Sequence, residues 1–123
     1  MVNVYDLENA YAKALRSHME QMGMQSIILH LGRKAGDLLK VPLQALECPV
    51  DFLVSGPPCP PWAGNGCKKG LKDARAKVFL RVLEWVVFLI CNGGLLGVIL
   101  ENVTGIMTWR DGRESTMEKI FVF

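Results

Sequence analysis

The sequence has little of what marks a metal, secreted or membrane protein. It holds two histidines and four cysteines. Cys48, Cys59, Cys67 and Cys91 form no CxxC pair and have no His at zinc-finger spacing, so no metal site is expected. The start Met1-Val2-Asn3-Val4-Tyr5-Asp6 carries no basic region, apolar run or small-residue cleavage site, which argues against a signal peptide. The expectation is an intracellular chain, nuclear if eukaryotic, with free thiols; the Asn102-Val103-Thr104 sequon is then accidental. The apolar stretch Trp85–Leu100 is shorter than the roughly 20 residues that span a membrane, and Asn92, Gly93 and Gly94 interrupt it. Charge of one sign is scarce too: a net +2 does not by itself announce a nucleic-acid binder, so any DNA contact has to be argued from a site. Repeats and low-complexity segments are absent.

What is present fits one domain. A chain of 123 residues, half of them hydrophobic, buries about two thirds of its open-chain surface on folding and needs no disulfide or structural metal. Strand-like and helix-like segments alternate, which predicts a mostly parallel α/β sheet with flanking helices. Val2–Tyr5 predicts a first strand. Glu8–Met22 predicts a helix, with Ala10, Ala14, Leu15 and Met19 at helical spacing and Gly23 closing it. Ser26–Leu31 predicts the second strand, Val41–Glu47 a turn or short helix, and Asp51–Ser55 the third strand.

Gly56–Lys72 is rich in Gly, Pro, Lys and Asn and too long for a simple connector; such loops are commonly functional. Asp73 is the expected N-cap of a helix Ala74–Cys91 whose apolar stripe is Val78, Phe79, Val82, Val86 and Leu89. Asn92-Gly93-Gly94 ends it. Leu95–Leu100 is the fourth strand, apolar on both faces as a buried parallel strand should be, and Arg113–Phe123 a last helix. Lys68, Lys69, Lys72, Arg75 and Lys77 form one basic cluster, which suits either DNA phosphates or a solvated face.

In open α/β sheets, ligands bind beyond the carboxyl ends of strands. The residues there are Asp6 and Glu8, Asp37, the loop with Cys59, and Glu101-Asn102. Gly56-Pro57-Pro58-Cys59-Pro60-Pro61-Trp62 fixes the backbone on both sides of one cysteine, because prolines lock φ and restrict their predecessors. That rigidity suits a nucleophile held at one angle, although a proline-rich loop can also merely bury a thiol.

Order and spacing favour the nucleophile. Asp51–Cys59 resembles the strand and nucleophile loop of the cytosine-C5 DNA methyltransferase family, in which the cysteine is usually followed by Gln-Gly-Phe-Ser; here Pro60, Pro61, Trp62 and Ala63 stand instead. Asp73-Ala74-Arg75 with Val78-Phe79 is similar to the family's Asp-Pro-Arg segment, and Glu101-Asn102-Val103 to its Glu-Asn-Val motif. Weaker likenesses lie upstream: Asp6-Leu7-Glu8 resembles the family's acidic-apolar-acidic turn, and Gly36-Asp37-Leu38 its Gly-Asp-Ile.

The resemblance implies a partial Rossmann-like, S-adenosylmethionine-dependent methyltransferase fold, with residues 1–123 as one partial catalytic domain. It implies that Cys59 and Glu101 are catalytic, that Asp6, Leu7, Asp37, Leu38, Pro58 and Val78 bind S-adenosylmethionine, and that Asn102 and Arg75 support the substrate site. The implied partner is DNA, with RNA left open, and neither metal nor membrane is involved. Carbon 5 of cytosine is a poor nucleophile, so a thiolate must first add at carbon 6; a carboxyl group at N3 stabilises the charge that develops. The base has to be flipped out of the duplex. The family's Phe-x-Gly-x-Gly turn, its Gln-x-Arg-x-Arg element and its target-recognition part have no counterpart here, so the expectation is a fragment. The alternative is an inactive, truncated methyltransferase-like module that binds a partner.

Overall fold

A computed structural model describes residues 2–24, 26–45, 49–65, 69–108 and 115–120. They form two compact units, residues 1–45 and 46–123.

The first unit is a strand-helix-strand. β1 (Val2–Asp6) pairs in parallel with β2 (Ile27–Leu31), in a register that sets Val4 beside Leu29 and Tyr5 beside His30. The β-branched and aromatic residues of both runs suit a pleated surface. The connecting helix is shorter than expected: Asn9–Tyr11 form a 3-10 turn, and α1 covers Ala12–Gln21. Its inward face is Ala12, Leu15 and Met19, all half-buried, whereas Ala10 and Ala14 are exposed. The one-turn helix α2 (Gly32–Ala35) follows β2, and Leu43–Ala45 form a 3-10 turn inside the expected Val41–Glu47 segment.

The second unit repeats the pattern. β3 (Phe52–Ser55) pairs in parallel with β4 (Gly97–Leu100), with Val54 beside Ile99 and Ser55 beside Leu100. The long α3 (Ala76–Gly93) connects them and supplies most of the core. Its buried residues Ala76, Phe79, Val82, Trp85, Leu89 and Gly93 recur every three or four positions. Burying side chains such as Phe79 and Leu89 stabilises by roughly 1.5–3 kcal/mol each. Val78 and Val86, expected in this stripe, are only half-buried at its edge, and Trp85 takes the place between Val82 and Leu89. Gly94 stops the helix at φ 66°, a left-handed conformation that costs glycine little, and donates its N–H to the Leu89 carbonyl.

Asp73 is not the N-cap. α3 begins at Ala76, and Asp73 instead accepts the Arg75 N–H at 3.0 Å, closing a turn just before the helix. Of the expected last helix, the described part is α4 (Thr116–Ile120). Ser115 and Glu118 cap it reciprocally: Ser115 N–H donates to the Glu118 carboxylate at 2.8 Å, and Glu118 N–H to the Ser115 hydroxyl at 3.2 Å.

The single, mostly parallel sheet expected from the alternation is, among the described residues, two separate two-stranded parallel sheets. Nor is the apolar surface of β3 and β4 buried on both faces. Alternation turns Leu53, Ser55 and Leu100 inward, while Phe52, Val54 and Ile99 are exposed by 64%, 69% and 60%. Both strands are rich in hydrophobic residues, but whether a face is covered depends on what packs against it.

Candidate functional site

In the second unit the residues that follow β3 and β4 come together. Their parallel pairing ends side by side, where the Glu101 N–H donates to the Ser55 carbonyl at 2.9 Å. The chain then turns at Gly56, and a Cβ there would lie 3.1 Å from Glu101 Oε2, so the Glu101 carboxylate lies against the start of the cysteine loop. One residue later Asn102 donates its Nδ2–H to the Pro57 carbonyl at 3.2 Å and accepts the Val103 N–H on Oδ1 at 2.9 Å. Glu101 and Asn102 are thus held on the backbone two to three residues ahead of Cys59. Glu101 is exposed and Cys59 half-buried with a free thiol.

The other side of the loop is anchored in the core. The Cys59 carbonyl accepts N–H groups from both Trp62 (2.9 Å) and Ala63 (3.0 Å), and the Pro61 carbonyl accepts that of Gly70 (2.9 Å). Pro61 is fully buried, and Trp62 packs with Ala76, Phe79 and Ile106. The Trp62 and Phe79 rings meet edge to face at 5.3 Å, and the indole Nε1–H donates to Thr116 Oγ1 at 3.0 Å. The four residues that depart from the family's loop, Pro60 to Ala63, therefore make a turn anchored by its own tryptophan. Nothing in the sequence around Trp62 or Thr116 assigns either a role at the site; the Ser115-x-x-Glu118 spacing is the local signal that could have marked the start of the helix carrying Thr116.

Pro58 is exposed beside Cys59, and Val78 is half-buried in the first turn of α3. Arg75 forms a two-pronged pair with Asp73, Nε to Oδ1 at 2.9 Å and Nη2 to Oδ2 at 2.7 Å. The Arg75 side chain and N–H hold the Asp73 carboxyl well below the usual carboxylate range. Arg75 thus fixes the entry into α3. Of the basic cluster, Lys69, Lys72 and Lys77 are exposed, and Lys68 lies outside the described residues.

In the first unit Asp6 ends β1, and its Oδ1 accepts the Glu8 N–H at 2.7 Å, which leaves Oδ2 without a protein partner among the described residues. Leu7 beside it is half exposed. The turn after α2 presses on the same strand end: a Cβ on Gly36 would lie 1.9 Å from the Asp6 carbonyl oxygen, so only glycine permits this approach. Asp37 and Leu38 are thereby set beside Asp6. Asp37 is engaged locally, pairing with Lys40 at 3.0 Å and accepting the Leu39 N–H at 3.2 Å. The Lys40 hydrogen bond lowers its carboxyl from the ordinary value, partial burial opposing. Asp6 thus keeps one carboxylate oxygen without a partner among the described residues, whereas Asp37 is held by Lys40 and the Leu39 N–H.

Among the described residues no group of three or more His, Cys, Asp or Glu could hold a metal ion, and no helix is long and apolar enough to cross a membrane.

The profile of one family, described as C-5 cytosine-specific DNA methylase, matches residues 29–121. That stretch holds Asp37, Cys59 and Glu101, while Asp6 and Leu7 precede it. Among curated proteins, the chain is similar to the Type II methyltransferase M.NgoPII of Neisseria gonorrhoeae, with 28% identity over 90 residues, 70% of this chain and 24% of that protein. The chain thus spans about a quarter of the length of the curated relative it matches. No solved structure matches it.

Proposed function

The chain belongs to the C-5 cytosine-specific DNA methylase family, and from that membership we propose that it carries the nucleophile segment of a DNA (cytosine-5-)-methyltransferase. In this reading its two strand-helix-strand units are parts of a Rossmann-like methyltransferase fold.

Cys59 as thiolate adds to carbon 6 of a flipped-out cytosine, and the electron pair of the 5,6 double bond moves into the ring. Glu101 holds a proton at N3, which makes carbon 5 nucleophilic without leaving a bare anion. S-adenosylmethionine, when bound, supplies an electrophilic methyl group on a sulfonium. Once carbon 5 is methylated its proton leaves to solvent, the double bond re-forms and the Cys59 Sγ–C6 bond breaks. Asn102 does no chemistry: it holds the loop to the end of β4. Asp6 would take the ribose hydroxyls on its free oxygen, Leu7 and Leu38 the adenine faces, and Asp37 the adenine amino group once Lys40 is displaced. In the second unit Arg75 supports the loop through Asp73.

The observation that carries this reading is the Asn102–Pro57 hydrogen bond, which ties the Glu-Asn-Val segment to the proline loop. The test incubates the chain with S-adenosylmethionine and duplex DNA carrying 5-fluorocytosine, which blocks proton loss. A denaturation-resistant adduct mapped to Cys59 is expected. Cys59→Ser should abolish it, and Glu101→Gln should slow it by on the order of a hundredfold. An adduct on 5-fluorocytosine RNA alone changes the substrate class. No adduct on either overturns the reading in favour of an inert binding module, and methylation that survives Cys59→Ser overturns the role of Cys59 as nucleophile.

A further inference from the structure

We propose that Trp62 is a positioning residue for Cys59, acting through the hydrogen bond of its indole N–H to Thr116. This inference rests on the reading of Cys59 as nucleophile. Cys59 and Trp62 are the two ends of one turn, since the Cys59 carbonyl accepts the Trp62 and Ala63 N–H groups. Pro60 and Pro61 between them have locked φ angles, so the turn moves as a unit. Displacing Cys59 therefore means displacing Trp62, which is 3% exposed and packed on Phe79.

The Nε1–H···Oγ1 bond to Thr116, 3.0 Å long and spanning 54 residues, adds to the ring contact a directional restraint within the ring plane. It also makes α4 a support for the nucleophile, because the Ser115–Glu118 cap sets where Thr116 stands. From the opposite side Asn102 holds Pro57. A phenylalanine at position 62, as in the family's Gln-Gly-Phe-Ser loop, would supply the ring but no donor. The tryptophan therefore adds a constraint that packing does not provide.

The readout is the alkylation rate of Cys59 by iodoacetamide, located by mass spectrometry, with the exposed Cys91 as internal reference. This requires no methyltransferase activity. Trp62→Phe and Thr116→Val each remove the same bond and should raise the Cys59 rate about fivefold, the equilibrium weight of one net hydrogen bond. The double variant should add nothing further, because the two residues share one interaction. Thr116→Ser, which keeps the hydroxyl, should restore the parent rate. Overturning results are a Cys59 rate within twofold of parent in Thr116→Val, an additive double variant, or Cys91 rising in step with Cys59, which marks general loosening. The adduct on 5-fluorocytosine DNA is scored separately. Variants whose Cys59 alkylation responds as stated, in a chain that forms no adduct, defeat the nucleophile reading and leave the positioning intact; an adduct that forms at unchanged rate in both variants defeats the positioning alone.

Discussion

Asn102 donates its side-chain amide to the carbonyl of Pro57 at 3.2 Å, across 45 residues of chain, while its own Oδ1 accepts the Val103 N–H. Both roles are needed at one position, a donor to reach the loop and an acceptor to fix the side chain, and asparagine has both.

Asn102→Asp keeps the acceptor and loses the donor. It should lower stability by about 1 kcal/mol in urea unfolding, the net worth of one hydrogen bond. Electrostatic repulsion from the Pro57 carbonyl should also loosen the loop, so Cys59 alkylation is expected to rise. Equal alkylation in parent and variant would mean that the bond does not hold the loop.

Phe79 lies at the centre of the second unit, 1% exposed against Trp62 and Ala76. Phe79→Ala should cost roughly 3–5 kcal/mol through lost burial and the cavity left behind. Leu80→Ala, at a position 39% exposed on the same helix, should cost far less. Chemical denaturation of the two variants side by side checks the contrast.

Gly36→Ala puts a Cβ where the Asp6 carbonyl oxygen already stands, 1.9 Å away, and backbone rather than a side-chain tip has to give way. A loss of roughly 1–3 kcal/mol or more is expected, as for overpacking a filled site. Amide exchange should accelerate at the β1–β2 pairs, with the β3–β4 pairs protected as before. Uniform acceleration in both units would contradict a local effect.

The Asp73 carboxyl is held below its ordinary value by Arg75, so the folded chain binds that proton more weakly than the unfolded one. The associated stability is complete above the unfolded value, near pH 4, and disappears as the pH falls from there through the folded value. Asp73→Asn should therefore melt below the parent at neutral pH, and the gap should narrow below about pH 4. A gap that stays constant on acidification would assign the effect to packing instead of charge.

Short-range features of the chain were legible without coordinates. Asn92-Gly93-Gly94 ends α3 because a left-handed residue after a helix favours glycine, and Gly94 has that conformation. The strand-loop-helix-strand order from Phe52 to Leu100 follows from period and turn residues. Asp73 does stand at the junction before α3, but it bonds Arg75 and does not cap the helix: an aspartate there can bond the next turn's N–H groups or an arginine two residues on, and sequence alone does not choose. Trp62 looked like a departure from a pattern, because nothing local indicates that its partners are Phe79 and Thr116.

Local chemistry in the sequence determined which segments become strands and helices, where the rigid cysteine loop falls, and which carboxylate and amide follow the last strand. Only the tertiary structure decided which strands pair, that Phe52, Val54 and Ile99 stay exposed, and that the cysteine loop is clamped by Asn102 on one side and Trp62 on the other. The physical reason is range. Propensity, capping and turn preference act over a few residues, whereas burial and these hydrogen bonds join groups tens of residues apart, and their partners exist only once the chain has folded.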